Sequence, residues 1–253
     1  METGFRWGAL ALIATACAGP AVAGSQTRPG LTTGVAVWQP LPEGVYLNSI
    51  HHYGERETYP GSHGVGWTPY VFLQIRAKLL GGQIGLAVAP TVVDGVTRGR
   101  HASGLYNTYL AAQIAWRIGP DVSVGYRLGG YVPQHGGASN RFGTVEHRAG
   151  VSYVHRSVNL TANFIYGRPG DDPLVRRAVA PDYVKADLTG MRRAGRWLVG
   201  AVLFASIDVR RPDAAYRRQA QLAAGPLVGY DFGPLTVQAK VPNLPHVSLT
   251  VKG

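Results

Sequence analysis

The sequence predicts an all-β protein, an antiparallel transmembrane β-barrel of about twelve strands, with ten to fourteen strands compatible with the same pattern. Most of the chain consists of segments of about ten residues in which apolar and polar side chains alternate. Tight turns and longer loops join these segments in alternation. The run closest to a spanning helix, residues 197–207, is much shorter than the roughly 20 residues required. A membrane chain without such a helix must close its strands into a barrel, because lipid cannot pair free backbone groups.

The composition fits a β structure with one face in lipid, although a Gly-rich soluble β-sandwich would have a similar composition. Charged residues make up 15% of the chain, against about 25% in typical soluble domains, and glycine occurs 34 times. The polar face of most segments carries Asn, Gln, Thr, Ser and Gly with isolated Arg or Lys. Because a soluble sandwich carries charges freely on its solvent face, this pattern favours the barrel.

The first 23 residues have the three parts of a secretory signal peptide, which is cleaved on export. Arg6 supplies the basic start, residues 7–18 are apolar, and Ala21-Val22-Ala23 is a small-x-small cleavage site. The apolar run is too short for a membrane anchor. We therefore expect an exported outer-membrane protein. Its domains are a signal peptide (1–23), a proline-containing lead-in that is a candidate plug (24–43), and the barrel (44–252).

The strongest alternation lies in residues 68–133, after a first predicted strand over residues 44–53. In the second strand, which ends at Leu79, Val71, Leu73 and Ile75 share one face, which we assign to lipid. Arg76 and Lys78 share the other face, which we assign to the lumen. Residues 79–82 form a tight turn into the third strand, and that strand runs to a predicted loop around residues 94–104.

The same alternation predicts the remaining strands, each bounded by Gly, Pro or basic turn residues. They are residues 105–117, 122–129, 144–154, 158–166, 183–189, 197–207, 219–224, 235–241 and 247–251. Aromatic residues on the predicted apolar faces fall near strand ends, where an interfacial girdle would place them. This predicted girdle consists of Tyr106, Trp116, Tyr153, Tyr166 and Trp197.

The chain is strongly basic, with 25 Lys and Arg residues against 14 Asp and Glu and a formal net charge of +11. Its basic doublets flank predicted strands, so we read them as loop and rim charges and expect no nucleic-acid partner. Outer-membrane lipid and small solutes are the expected partners. The one cysteine, Cys17, lies in the predicted leader, which excludes disulfides and thiol catalysis in the mature chain.

Polar and charged residues on the predicted inner face are the candidate solute path. They are Arg76, Lys78, Gln113, Arg117, Arg127, Glu146, Arg148, Lys185, Asp187, Gln238 and Lys240. Rings of Arg and Lys in a pore favour anions. The alternative is a lumen closed by internal salt bridges, such as Arg148 with Glu146 or Lys185 with Asp187, and the sequence leaves this choice open.

Catalytic chemistry is not expected, and we predict no catalytic residue, no metal and no cofactor. The chain has no G-x-S-x-G motif, no phosphate-binding loop and no H-E-x-x-H motif. His51 and His52 are neighbours in the sequence, but adjacent residues of a strand point to opposite faces and would not converge on a metal.

Three stretches resemble the outer-membrane family labelled as a MetA-pathway of phenol degradation, also called SphA-like proteins. They are residues 41–47 (LPEGVYL), residues 78–85 (KLLGGQIG) and residues 87–90 (AVAP), and the turn Gly119-Pro120-Asp121 is similar too. The resemblance implies a signal peptide, an outer-membrane barrel and a channel for small hydrophobic, often aromatic, compounds. Such barrels usually end in an aromatic residue that the barrel-assembly machinery reads, whereas this chain ends Thr250-Val251-Lys252-Gly253.

The function predicted from these observations is an outer-membrane channel or transporter for small hydrophobic or aromatic solutes, anionic ones included. Its macromolecular partner would be the barrel-assembly machinery. Two alternatives stay open at this point. One is a structural or adhesive outer-membrane barrel with a sealed lumen, and the other is a soluble periplasmic β-sandwich.

Overall fold

Twelve strands close into an antiparallel barrel, which confirms the predicted fold class and excludes the β-sandwich. The computed structural model describes Thr27 and residues 30–56, 62–97, 99–216, 218–241 and 248–252. The predicted signal peptide lies outside these described residues. Among the residues described, no helix is long and apolar enough to cross a membrane.

The strands follow one another around the barrel in chain order, and the last pairs with the first. They are β1 (Gly44–Arg56), β2 (Ser62–Leu79), β3 (Gly82–Thr97), β4 (Arg100–Arg117), β5 (Val122–Tyr131), β6 (Thr144–His155), β7 (Val158–Pro169), β8 (Asp171–Asp172), β9 (Arg177–Ala178), β10 (Tyr183–Ala194), β11 (Trp197–Asp208), β12 (Ala220–Asp231), β13 (Thr236–Lys240) and β14 (Ser248–Lys252). Only β8 and β9 stand apart from the barrel, and they pair with each other in the loop between β7 and β10.

The two ends of the barrel differ in the length of their connections. At one end, called here the short-turn end, Leu80 and Gly81 alone join β2 to β3, and both have positive φ (50° and 77°). Such turns match the right-handed twist of a hairpin, and glycine adopts this conformation without strain. The opposite, long-loop end carries the loops 132–143, 170–182 and 209–219. Gly44 and Lys252, where the barrel begins and ends, both lie at the short-turn end.

The alternation of side chains places mostly apolar residues outside and most of the buried polar residues inside, although the inner face is also apolar around Leu198, Val202 and Leu227. Leu110, Phe164 and Leu222 are exposed on the outer surface, whereas Gln74, Asn163 and other polar residues face inward and are buried. This is the reverse of a soluble protein, and a lipid solvent accounts for it. Tyr153, Tyr166 and Trp197 of the predicted girdle are exposed on that outer surface.

The girdle assignment is wrong at Tyr106. This residue packs against the buried cluster of Ala89, Tyr109 and Tyr131 instead of facing lipid. The pairing of β3 with β4 shifts between Ala89 and Thr91, so that the intervening Pro90 faces two residues of β4. A bulge of this kind, opposite a proline that cannot donate a backbone hydrogen bond, reverses the facing of the β4 residues that precede it, Tyr106 included, relative to those from Tyr109 onward.

The predicted loop around residues 94–104 is also much shorter than expected. The strands β3 and β4 continue to Thr97 and from Arg100, and Asp94 is paired with Ser103 in the ladder. Asp94 also contacts His101 at 2.9 Å. The sequence pattern failed here because hairpin pairing continues where the alternation of apolar side chains has already ended.

Candidate functional site in the barrel lumen

Four of the predicted lumen residues lie along one row of the ladder, on the inner wall of the barrel. Gln113 pairs with Arg127, Arg127 pairs with Arg148, and Arg148 is linked to Lys185 through Ile165. All are buried. The strict two-residue repeat of antiparallel strands explains the row, because residues in register point to the same face.

Arg148 and Glu146 form a buried ion pair on β6, which is one of the internal pairs considered from the sequence. The guanidinium Nε of Arg148 donates to Glu146 Oε2 at 3.0 Å. Tyr183 donates its hydroxyl to the other carboxylate oxygen at 2.5 Å. The guanidinium carbon also lies 4.5 Å from the ring centroid of Tyr109, so the cation is held against an aromatic face. Buried charges need such complete sets of partners.

Arg127 is held by neutral groups. Its Nε donates to Gln113 Oε1 at 2.9 Å, and its Nη1 donates to the hydroxyl of Tyr70 at 2.8 Å. Its guanidinium carbon also lies 5.8 Å from the ring centroid of Trp38. The positive charge of Arg127 is therefore stabilised by dipoles and aromatic rings along this wall.

Three further buried charges of the lumen, Asp187, Lys185 and Lys240, bind the chain that precedes the barrel. We call Thr27 and residues 30–43 the N-terminal segment. The carboxylate of Asp187 accepts hydrogen bonds from the backbone N–H of Gly30 at 3.3 Å and of Thr32 at 3.2 Å, as well as one from the Thr32 hydroxyl at 2.5 Å. A short turn in which Thr33 N donates to Gly30 O at 3.2 Å directs these N–H groups toward the wall.

Two buried lysines hold the same segment through its carbonyl groups. Lys185 Nζ donates to Thr27 O at 2.5 Å, and Lys240 Nζ donates to Thr33 O at 2.6 Å. On the sequence alone, Lys185 was considered as a salt-bridge partner of Asp187. Instead, Lys185 donates a hydrogen bond to the N-terminal segment and Asp187 accepts hydrogen bonds from it.

Trp38 of the N-terminal segment is fully buried, and its indole lies against two glycines of the inner wall. Gly125 and Gly150 face each other on β5 and β6. A Cβ atom at either position would overlap the indole. The backbone N–H of Trp38 donates to Ser152 Oγ at 3.2 Å, and Val37 O accepts from Gln113 Nε2 at 3.2 Å. The wall therefore has a niche that fits this side chain.

Three predicted lumen residues, Arg76, Lys78 and Arg117, are exposed near the short-turn end instead of lining the buried interior. The side chain of Arg76 is 90% exposed and its Nε lies 3.3 Å from Glu43 Oε2. The register of β2 and β3 shifts between Gln74 and Lys78, which displaces Arg76 from the regular inward row. Gln238, by contrast, is buried beside Lys240 on β13.

Sequence reasoning did not single out several residues that complete the site. They are Trp38, Tyr109, Tyr131, Asn163, Tyr183 and Thr189, and each is buried. The alternation of strand residues could have identified Tyr109 and Tyr183 as lumen residues. Each lies an even number of residues from a predicted lumen residue of its own strand, Gln113 on β4 and Lys185 on β10. Trp38 had no such signal, since it lies in an aperiodic segment. Within the described part of the chain, no group of three or more His, Cys, Asp or Glu residues could hold a metal ion.

A family model described as "Putative MetA-pathway of phenol degradation" matches residues 23–243 of the chain. No curated protein sequence matches it. Among solved structures, the translocator domain of the autotransporter NalP from Neisseria meningitidis aligns with a TM-score of 0.49 and 12% identity, covering 85% of this chain and 88% of that one. The alcaligin outer-membrane receptor FauA from Bordetella pertussis aligns with a TM-score of 0.34 and 13% identity, covering 77% and 46%. At these levels, neither structure identifies a function.

Proposed function

The chain belongs to the family described as "Putative MetA-pathway of phenol degradation", and we propose that it is an outer-membrane channel for small aromatic solutes, closed at rest by its own N-terminal segment. Membership of the family, which the sequence resemblance had indicated, supports the choice of aromatic solutes. The apolar outer surface and closed ladder supply the membrane setting. In barrels of this kind the short turns face the periplasm, so the N-terminal segment would enter the lumen from that side.

One observation carries the proposal: the lumen charges bind a segment that does not belong to the barrel ladder. Asp187, Lys185 and Lys240 hold backbone N–H and carbonyl groups of the N-terminal segment. Water could replace each of these partners if the segment withdrew. Hydrogen bonds to charged groups contribute roughly 1.5–3 kcal/mol each, whereas ordering a residue costs about 1–2 kcal/mol, so the entropy that the segment regains on leaving offsets part of what holds it.

Withdrawal of the N-terminal segment would also change the electrostatics of the lumen. Lys185 and Lys240 would lose their carbonyl partners and become available to a solute. The ion pair of Arg148 and Glu146 would stay intact, because both residues belong to β6. Asp187 would be released as well, so the three freed groups would carry a net charge of one positive unit, which favours neutral or anionic aromatic solutes over cationic ones.

Uptake into proteoliposomes tests this proposal. Benzenesulfonate is a suitable probe because its charge prevents it from crossing lipid unaided. We expect the wild-type protein to admit benzenesulfonate faster than protein-free liposomes do, and the D187N variant, which holds the segment less tightly, to admit it faster still. Absence of uptake by both proteins would contradict the proposal and favour a sealed structural barrel.

Localisation needs a separate measurement. The protein should be recovered with the outer membrane after cell fractionation and should remain there after a salt wash. Recovery in the soluble periplasmic extract would contradict the membrane setting on which the channel depends.

A further inference from the structure

A row of three aromatic rings crosses the outer surface of the barrel on β5, β6 and β7. The ring of His147 lies between those of Tyr126 and Tyr166, with centroids 6.2 Å and 6.4 Å away. The Nδ1 atom of His147 lies 2.6 Å from the Tyr126 hydroxyl oxygen, and His147 pairs with Tyr166 in the ladder. All three side chains are exposed, and His147 and Tyr166 lie near the long-loop ends of their strands. We call these three residues the ring row.

Two arginines lie at the edge of the ring row that is nearer the long loops. Arg168 follows Tyr166 by two residues on β7, so it shares the outer face and lies one step closer to the long-loop end. Arg210 comes from the loop after β11, and its backbone N–H donates to Asp182 O at 3.4 Å. Both arginine side chains are exposed, and both charges act on the hydroxyl of Tyr166. Two cations therefore flank one end of the ring row.

The neighbouring acid does not neutralise these two cations. The Oδ2 atom of Asp182 accepts a hydrogen bond from the Tyr166 hydroxyl at 2.9 Å. Within the described residues, neither the Arg168 nor the Arg210 guanidinium forms an ion pair or a hydrogen bond with a side chain. The three charges leave a net charge of one positive unit beside the rings.

The short-turn end has a comparable aromatic pair whose arginine is already bound. The rings of Trp197 and Tyr230 lie with centroids 5.0 Å apart on the outer surface. Arg193 beside them forms an ion pair with Asp231. An aromatic pair and a rim arginine are therefore not enough to leave a cation available, and the ring row differs in that both of its arginines are unpaired.

The location of the ring row determines which molecules it meets. In barrels of this kind the long loops face the cell exterior, so the ring row and its arginines lie where the outer leaflet meets water. A guanidinium binds phosphate with two parallel hydrogen bonds, and in this layer phosphate groups belong to lipids. Exposed aromatic rings also pack against the apolar C–H face of a sugar ring.

From this arrangement we infer that Arg168, Arg210 and the ring row bind a glycolipid of the outer leaflet whose sugar carries a phosphate group. The arginines hold the phosphate, and the sugar packs on His147 and Tyr166. The site uses the outer wall, so it is separate from the lumen and does not require the N-terminal segment to leave. The inference rests on the membrane setting of the proposed function and not on transport.

Native mass spectrometry of the refolded full-length protein in detergent tests the phosphate contact. The probes are diphosphorylated lipid A and the same lipid A with both phosphates removed, so that the acyl chains are matched. We expect the wild-type protein to bind the phosphorylated form about tenfold more tightly, because charge-assisted hydrogen bonds are the strong ones. The variant R168Q/R210Q should lose most of this preference. The matched control R193Q, at the opposite end of the barrel, should keep it.

The sugar contact has its own variant. H147A removes the central ring and should weaken binding of both forms of lipid A several-fold, because the sugar is common to them. Its control is Y153A, since Tyr153 is an exposed outer ring near the short-turn end of β6. Y153A should leave both affinities unchanged.

Equal binding of the two lipids by the wild-type protein would overturn the inference, as would an equal loss of preference in R193Q and R168Q/R210Q. If H147A bound both lipids as the wild type does, the assignment of a glycolipid would be wrong. These outcomes are distinguishable from failure of the channel. Phosphate-dependent binding without uptake of benzenesulfonate would mean a lipid site on a sealed barrel, whereas uptake without phosphate-dependent binding would mean a channel that lacks this site.

Discussion

The buried indole of Trp38 fills the space in which a Cβ atom at Gly125 would lie. The inner wall of the barrel is thus shaped for a side chain that does not belong to the barrel ladder. If that fit holds the N-terminal segment in place, a single methyl group should loosen it.

We therefore predict that G125A opens the lumen. Displacing the indole would forfeit roughly 1.5–3 kcal/mol of burial, which corresponds to about a tenfold or greater rise in the open fraction. Benzenesulfonate uptake in proteoliposomes would measure this rise. The control is G119A, because a Cβ at Gly119 would meet nothing within 4 Å. Equal uptake by the two variants would show that the niche does not hold the segment.

The carboxylate of Asp187 should be a second anchor. In D187N the side chain loses its charge, and hydrogen bonds to charged groups contribute roughly 1.5–3 kcal/mol each. Asn163 Nδ2 donates to Thr32 Oγ1 at 2.8 Å, so the double variant T32C/N163C places two thiols within reach of a disulfide when the segment is docked. We expect this disulfide to form several-fold more slowly when D187N is added. Asp213, whose side chain bonds only Ala215 and Tyr216 in a long loop among the contacts described, gives the control D213N. If D213N slowed the reaction equally, the effect would not arise from the lumen.

The inner lysines, and not the rim, should set the charge preference of the open channel. We predict that K240Q, introduced into the G125A protein, lowers the ratio of anion to cation permeability by about half or more. Reversal potentials in a salt gradient measure this ratio. R76Q in the same background should have little effect, because Arg76 is exposed and bound to Glu43. A larger shift for R76Q than for K240Q would place the selective charges at the rim.

The sequence predicted the inner wall well where strands are regular. The alternation of side chains alone predicted that Arg127, Glu146 and Arg148 share the inner face. In the structure all three are buried on the paired strands β5 and β6, which confirms that prediction. The alternation of side chains predicted the wrong face for Tyr106, because the register shift opposite Pro90 turns this residue from the outer face to the inner one. A bulge adds one residue to the pairing, and the pattern of apolar side chains does not record it.

The partners of the inner charges were beyond sequence reasoning for a different reason. Lys240 binds Thr33, which lies far away in the chain and in a stretch without periodicity. Nothing in the residue types of either segment specifies such a contact. Residues 24–43 are a candidate plug because a barrel of about twelve strands lies in size between filled eight-stranded barrels and open sixteen-stranded porins. The effect of this segment on transport stays a prediction.

The ion pair of Glu146 with Arg148 should dominate the stability of the inner wall. Removing one partner of a buried pair costs about 3–5 kcal/mol, because the other charge is left uncompensated. We expect E146Q to lower the urea midpoint of unfolding in detergent clearly. The partly exposed pair of Arg193 with Asp231 provides the control R193Q, which should cost about 1 kcal/mol or less. Similar midpoints for the two variants would contradict the assigned role of the buried pair.

Closure of the lumen by the N-terminal segment is the central claim, and one recording tests it most directly. The current through a single T32C/N163C barrel is recorded in a planar bilayer, first oxidised and then reduced. The two states differ only in the disulfide that joins positions 32 and 163. The account predicts a silent channel while the disulfide is present and ion current after reduction. Equal current in the oxidised and reduced states would contradict it, because the lumen would then conduct with the segment locked in place.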